Sequence, residues 1–451
     1  MGMQNFTNIF ISGIFQMSDI VFPKHILDKA KACLLDYIGV TLSGSALLKD
    51  KEQNLLNFCG SRKGCHVIGT SLMAPDTIAA LINGINSHYI ELDDGHRIGM
   101  LHLGAPIISA LLPVAEKEGI PTKDFLYGII IGYEVAIRLA CCVQPECKLK
   151  GFHATGTCGT IGAAMGIAAA LHYDLDQMKS TFSTSITSAA GLLEMIEGDT
   201  ELKPYNAGRA AMDGVTAAYI GRVRFKYPED ALGGKRGFLK VMTSNPKYDY
   251  ITNFDSIKLI IESIYMKPYA ACRHCHPSIE AALQIRQQTG FRIDEVESID
   301  VQTYKLAVDG HNHAEIKGSN SAKMSIPYSL AVALCKGKAG LKEYTEDCIT
   351  NKEILSIASK VTITDNEELS ALCPQKRVAM VTVKTKNKSF SSRIEYPKGE
   401  PENPLTREEL VEKFRGLAMY GGLTSMECDE VIQEVWKPNI NLTRIIEIVC
   451  K

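Results

Sequence analysis

The segment KPYAACRHCHPSIEAAL, residues 267–283, concentrates more chemistry than any other stretch of this chain. Lys267, Arg273, His274 and His276 set cationic and proton-handling groups ahead of Ile279, Ala281, Ala282 and Leu283, an apolar-periodic run that reads as a helix. A basic loop entering a helix suits carboxylates. Arginine forks onto them bidentately, lysine supplies a point charge, and the orphan amides of the helix start add partial positive charge. The same residues spell Cys272-Arg273-His274-Cys275-His276, the pattern of covalent haem attachment. That pattern belongs to exported proteins, whereas the apolar run Ile9 to Met17 lacks a basic lead-in and a small-residue cleavage site. Zinc needs four ligands at defined spacing, which Cys141, Cys142 and Cys147 do not supply. The expectation is therefore no metal and no cofactor, with Cys272 and Cys275 packed under a loop. A non-enzymatic haem- or metal-binding helical protein is the rival from another class.

Three more clusters carry candidate groups. Glu91-Leu92-Asp93-Asp94-Gly95-His96, followed by His102-Leu103-Gly104, looks like a loop between buried helices. Such a loop can hold a general acid or base, a carboxylate orienting the imidazole; helix capping accounts for the same residues on their own. Gly151-Phe152-His153-Ala154-Thr155-Gly156-Thr157 puts a histidine before a Gly-rich helix start, where an anion is welcome. Its glycines at 156, 159 and 162 do not match GxGxxG, and no strand precedes them, which argues against dinucleotide binding. Lys203-Pro204-Tyr205-Asn206-Ala207-Gly208-Arg209 sets a lysine and an arginine about another helix start. All four clusters lie at loop–helix junctions.

The elements that must position these groups follow from pattern. With 451 residues, two domains are expected, and 45% hydrophobic with 22% charged residues describes an ordinary globular chain. A formal net charge of −2 gives no long-range pull toward nucleic acid or an anionic membrane. The 14 cysteines are scattered, several inside apolar runs, which fits reduced thiols and a cytoplasmic location. No uninterrupted apolar span of membrane length is expected. From about residue 24 to 265 the apolar stripes are helical: residues 24–42, 76–85, 104–119, 124–143, 158–172, 176–196 and 208–221. The ladder Gly159, Gly162, Ala163, Gly166 and Ala170 suits close helix–helix contact. After Pro268 the character changes: helix 278–289, strand 296–304, helix 326–335, strand 360–365, and a hairpin over 377–397 turning near Asn387-Lys388. From Thr406, a plausible N-cap with Glu409 as its capping-box partner, helices return. The fold expected is mostly α: a helical domain from residues 1–267, an inserted α+β domain over 268–398, and helices of 399–451 returning to the first.

In these clusters the chain resembles the MmgE/PrpD family of 2-methylcitrate dehydratases, cis-aconitate decarboxylases and iminodisuccinate epimerases. The resemblance runs nearly end to end, through DDGHRIGMLHLGAP, FHATGTCGTIGAA, KPYNAGRAAMDGVTAA, KPYAACRHCHPSIEAAL, SIPYSLAVAL and PENPLTREELVEKF. It implies a large helical domain closed by a smaller α+β lid, a homodimer, and a cofactor-free active site between domain and lid. His102, His153, Lys203, Lys267 and Tyr328 fall on active-site positions, with Asp93 beside them, and His276 on the histidine entering the lid helix. Two departures stand out: Leu103 where the family usually has proline, and Cys272 where the decarboxylase branch has a catalytic histidine.

The expected chemistry is a cofactor-independent lyase on a small di- or tricarboxylic acid, first the dehydration of a 2-methylcitrate-like hydroxy acid. Epimerisation and cis-aconitate-type decarboxylation are the alternatives. Lys203, Lys267 and Arg273 clamp carboxylates, with Arg209, His276 and Tyr328 as further binding candidates; His102 and His153 exchange protons, beside Asp93.

Overall fold

Proline, glycine and short polar residues punctuate the apolar stripes, and the helices begin and end at them. The computed structural model describes residues 5–59, 63–196, 200–254 and 259–451. The longer helices before residue 265 are α1 (Phe6–Gln16), α2 (Lys24–Cys59), α3 (Asp76–Tyr89), α4 (Gly104–Glu118), α5 (Thr122–Val143), α6 (Ala154–Ala170), α7 (Leu175–Ser188) and α8 (Lys203–Arg222). They are followed by α9 (His276–Arg286), β1 (Val296–Thr303), α10 (Ile326–Lys336), α11 (Lys352–Ala358), β2 (Val361–Asp365), β3 (Ala379–Thr385) and β4 (Ser389–Ile394). The chain ends in α12 (Arg407–Tyr420), α13 (Ser425–Trp436) and α14 (Leu442–Val449). The molecule is mostly helical.

The chain sorts into two units. The first comprises Met1–Met195, Leu202–Ile264 and Arg407–Lys451, the second Ile196–Glu201 and Tyr265–Thr406. No sequence pattern marks Ile196–Glu201 as part of the second.

In the first unit α6 is buried along its whole length. It is surrounded by α4, α5, α7 and α8, while α3 packs on α2, α4 and α8. Small residues permit this. A Cβ on Gly162 would fall 2.6 Å from the Gly132 carbonyl oxygen of α5, so only glycine lets these two backbones touch. Around them Ile107, Leu111, Ile129, Ile131, Val135 and Ile161 are fully buried, each contributing about 1.5–3 kcal/mol by leaving water. Among the described residues α2 and α5 carry windows long and apolar enough, by length and composition, to cross a bilayer, and 83% and 94% of those windows are buried inside the protein. Their hydrophobicity is that of core helices wrapped on all sides. The stripe expected over 176–196 stops at Ser188: Ala189 is extended (φ −65°, ψ +106°), and Gly191 then turns the chain at φ +126°.

The returning α12 packs on α2. Lys413 pairs with Asp36 of α2 at 2.5 Å and donates to the Leu92 carbonyl at 2.7 Å, pinning the acidic loop after α3.

The second unit is a four-stranded sheet ordered β2-β1-β3-β4. β1 runs parallel to β2 (Ile299 opposite Val361) and antiparallel to β3 (Ile299 opposite Val383), and β3 forms a hairpin with β4 (Val383 opposite Phe390). Ile299, Val301, Val381 and Val383 are buried, the period-two alternation of a sheet with one covered face. Helix α9 packs on β3 and β4, and α10 packs on α9.

Candidate functional site

Helix α3 delivers His88 in its last turn, and the chain then turns sharply through Glu91, which adopts φ +58°. A non-glycine residue held left-handed stores strain of about 1–3 kcal/mol, and such residues concentrate at functional loops. The next residues carry the acidic groups inward: Glu91 is 4% exposed, Asp93 2% and Asp94 3%. Asp94 Oδ1 accepts the Gly104 amide at 2.8 Å and its Oδ2 accepts the Tyr133 hydroxyl at 2.7 Å. Asp94 thus caps the start of α4, and burial raises its carboxyl to about 6 despite those bonds.

This cap places His102 one residue ahead of Leu103, the N-cap of α4. His102 Nδ1 lies 3.1 Å from Asp93 Oδ2 and 2.8 Å from the Asp94 carbonyl oxygen. Both partners accept, so Nδ1 carries the proton and the lone pair sits on Nε2. His88 directs its own Nδ1 at the same Asp93 oxygen, 2.7 Å away. Burial pulls the Asp93 carboxyl up, but His102 and His88 more than offset it and hold it well below its ordinary range. The carboxylate between two imidazoles therefore remains ionised. The donor atoms of His88, Asp93 and His102 lie within 4.8 Å of one another, a spacing that could also hold a metal ion. The two Nδ1 atoms converging on one oxygen at 2.7 and 3.1 Å have the geometry of N–H···O bonds.

His153 is the N-cap of α6, its amide bonded to the Gly191 carbonyl at 3.0 Å. Its ring stacks near that of His88, centroids 6.0 Å apart. Asn206 Nδ2 lies 3.1 Å from His153 Nδ1 and 3.4 Å from the Leu192 carbonyl oxygen, the geometry of an amide donating to both. His153 Nδ1 accordingly accepts, and its proton sits on Nε2, the opposite tautomer from His102. Burial first, then His88, Lys203 and His102, hold the His153 imidazole well below the usual histidine range, so it is neutral at pH 7.

Lys203 opens α8 and pairs with Glu91. The pairing depends on how closely α8 approaches α3: a Cβ on Gly208 would fall 2.3 Å from the Leu81 carbonyl oxygen, and one on Gly84 2.6 Å from Gly208 Cα. Arg209 is spent on the neighbouring loop, donating to the carbonyls of Ser188 at 3.1 Å and Ala190 at 2.6 Å and pairing with Asp213. It steadies the strap whose Gly191 carbonyl holds His153. The first unit thus gathers Asp93, His102, His153 and Lys203 into one cluster, with Arg209 bracing it.

The second unit holds the remaining candidates. Lys267 and His276 are fully buried, Arg273 is 3% exposed, and Tyr328 is fully buried. Arg273 donates to Glu400 at 3.0 Å, to the carbonyls of Lys398 and Pro397 at 3.1 and 3.2 Å, and to His276 Nδ1 at 2.8 Å. Its fork is saturated by the protein. His276 in turn donates from Nε2 to the Ala271 carbonyl at 3.1 Å. Burial, then Arg273 and Lys267, hold His276 well below the usual histidine range. The Tyr328 hydroxyl donates to the Glu343 carbonyl at 2.8 Å.

Sequence reasoning assigned no role to His88, Glu91 or Asn206. A signal existed for two of them: Glu91 opens the acidic run, and Asn206 sits one helical turn beyond Lys203. His88 reads as one more residue on the polar edge of a helix.

Comparison with known proteins agrees over nearly the whole chain. The MmgE/PrpD N-terminal domain matches residues 17–251 and the MmgE/PrpD C-terminal domain residues 269–438. The chain is 27% identical over 430 residues to the cis-aconitate decarboxylase-like protein oryM of Aspergillus oryzae, covering 89% of this chain and 87% of that protein. It is 22% identical over 439 residues to human cis-aconitate decarboxylase, covering 93% and 89%. It is 26% identical over 421 residues to the alkylcitrate dehydratase phiI of a fungal species, covering 86% and 82%.

Proposed function

This chain belongs to the MmgE/PrpD family, and from that premise we propose that it is a lyase that forms a carbanion beside a carboxylate of a small tricarboxylic acid. The observation carrying this reading is the pair of histidines in opposite tautomers, one backed by an ionised carboxylate and the other by an amide. His102 Nε2 is the base for a proton α to a carboxylate, and Asp93 stabilises the imidazolium that results. His153 is neutral, so its Nε2–H serves as a hydrogen-bond donor to the oxygen on which negative charge develops, worth a few kcal/mol. The Lys203 ammonium, held by Glu91, is the group that protonates a departing hydroxyl. A positioned base of this kind contributes about 10²–10⁴-fold.

The first reading is dehydration of a 2-methylcitrate-like hydroxy acid, supported by likeness to an alkylcitrate dehydratase. Here the base, the donor and the acid each have an assigned step. The second is decarboxylation of a cis-aconitate-like acid, favoured by likeness to proteins named for that activity. There carbon dioxide leaves instead of a proton, so His102 enters the step as the imidazolium, paired with Asp93, and gives its Nε2 proton to the carbanion. Lys267 is kept as a carboxylate-binding residue in both, and Arg273 as a positioning residue for His276.

The test is to incubate the purified full chain with citrate, 2-methylcitrate, cis-aconitate and iminodisuccinate in D₂O and follow products by NMR. Loss of water from a citrate with deuterium exchange at the α-carbon supports the first reading; release of carbon dioxide supports the second. Turnover of iminodisuccinate alone, or full turnover by His102→Ala, would overturn both.

A further inference from the structure

The CxxC pattern that opened the sequence reading has no part in the proposed reaction, yet the second unit builds a site around it. Cys272 is partly exposed and Cys275 is fully buried. They are the first and last residues of a turn in which the Cys275 amide bonds to the Cys272 carbonyl at 2.8 Å. Such an i→i+3 turn holds its end Cα atoms within about 7 Å, and a disulfide spans about 4.4–6.8 Å between Cα atoms. The backbone therefore already holds the two Cα atoms within the span of a disulfide. The Lys323 carbonyl ties the turn together, accepting the Cys272 backbone amide at 2.8 Å and lying 3.9 Å from Cys275 Sγ.

A base stands beside the outer thiol. His311 Nε2 is 3.2 Å from Cys272 Sγ, and His311 Nδ1 is 3.0 Å from the Asp309 carbonyl oxygen. A carbonyl only accepts, so Nδ1 carries the ring proton and the Nε2 lone pair faces the S–H. His274 packs against His311, centroids 5.1 Å apart, and is itself fixed by the Tyr304 hydroxyl at 2.7 Å. The start of α9 immediately follows, adding the partial positive charge that favours a thiolate.

We propose that Cys272 and Cys275 form a dithiol–disulfide exchange site, with His311 as its base and low-molecular-weight disulfides as its substrate. His311 Nε2 takes the Cys272 proton, and the thiolate attacks one sulfur of the small disulfide. A mixed disulfide forms and the first small thiol leaves, protonated by the imidazolium. Cys275, losing its proton to His311, then attacks Cys272 Sγ, closing the Cys272–Cys275 bond and expelling the second small thiol. Two protein thiols are oxidised and one small disulfide is reduced to two thiols. The exchange uses none of Asp93, His102, His153 or Lys203.

Oxidised glutathione is the probe, added to the reduced full-length chain, with the remaining thiols alkylated before peptide mapping. The wild type is expected to give a 272–275 link with the loss of two hydrogens. Cys275→Ser is expected to stop at a glutathione adduct on Cys272, and Cys272→Ser to give neither product. His311→Gln is expected to slow the first step at neutral pH by about tenfold or more and to shift its pH dependence upward. The exposed Cys59 is an internal reference within each sample. Reaction of Cys272 no faster than Cys59, a wild-type adduct that never passes to Cys275, or an unchanged rate in His311→Gln would each overturn the proposal. The wild-type measurement stands whether or not a variant folds, and Cys275→Ala serves if the serine is not tolerated at this buried position.

Discussion

Asp93→Asn tests the proposed chemistry most directly, because it removes a charge while leaving the shape of the side chain intact. Asp93 Oδ2 accepts from two imidazole nitrogens, at 2.7 Å from His88 and 3.1 Å from His102. Hydrogen bonds to a charged group contribute about 1.5–3 kcal/mol, against about 0.5–1.5 kcal/mol for neutral ones, so two downgraded bonds cost about 2 kcal/mol of stability. The kinetic cost is larger and has a separate origin. Both Nδ1–H groups meet one oxygen, Oδ2, so the asparagine's carbonyl oxygen still accepts both, but a neutral amide no longer stabilises the imidazolium that His102 becomes on taking the proton. kcat is therefore expected to fall by about 10²–10⁴, or about 2.7–5.5 kcal/mol of transition-state stabilisation. The assay pairs kcat on the turned-over tricarboxylic acid with ¹⁵N NMR of the imidazoles, which reads the tautomer directly, and with urea unfolding. A variant that loses the expected stability but retains kcat within a few fold would show that Asp93 only braces the loop.

Three further outcomes follow from the geometry. Arg273→Lys keeps the charge but cannot bridge Glu400, two carbonyls and His276 at once; it is expected to cost about 2–4 kcal/mol in urea unfolding, and a loss below about 0.5 kcal/mol would refute the account. Gly208→Ala pushes α8 off the Leu81 carbonyl and should cost about 1–3 kcal/mol while lowering kcat through the Lys203–Glu91 pair, measured by calorimetry and turnover together. His276 has a folded-state pKa well below its ordinary 6.5, so as pH falls through 6.5 the unfolded chain takes up a proton that the folded protein refuses. Its contribution is complete above that pH and declines below it, so the stability gap between wild type and His276→Gln should narrow by about 1.4 kcal/mol per pH unit below 6.5, in urea titrations between pH 7 and 5. A gap independent of pH over that range would mean that His276 titrates alike in both states.

Helices carried by strong apolar periodicity were legible to within a few residues, as in the expected 124–143 against the observed Thr122–Val143. The β strands were equally plain, because Val296 to Thr303 and Ala379 to Thr385 alternate as a half-covered sheet must. Where tertiary contact decides the outcome, pattern failed. The helix starting at Lys24 runs on to Cys59 through polar residues that periodicity does not join to it. The acidic loop, His102, His153 and Lys203 could be named because charge and imidazole stand out beside glycine-rich helix starts. Their division of labour could not, since it rests on Asn206 meeting His153 and Asp93 meeting His102 at hydrogen-bonding distance. Arg273 shows what local reading leaves out: it sits in a basic loop entering a helix, but its partner Glu400 lies 127 residues onward.

The tether from Lys413 to Leu92 spans 321 residues of sequence. On a ribosome, which adds residues in order at about 5–20 per second, the acidic loop is made early and its anchor last. All of Tyr265–Thr406 leaves the exit tunnel before Lys413 can reach Asp36 and the Leu92 carbonyl. The nascent chain must therefore shelter an unfinished helical unit for most of its synthesis. Termination between Thr406 and Lys413 would leave every proposed catalytic side chain present but the loop carrying Asp93 without its anchor.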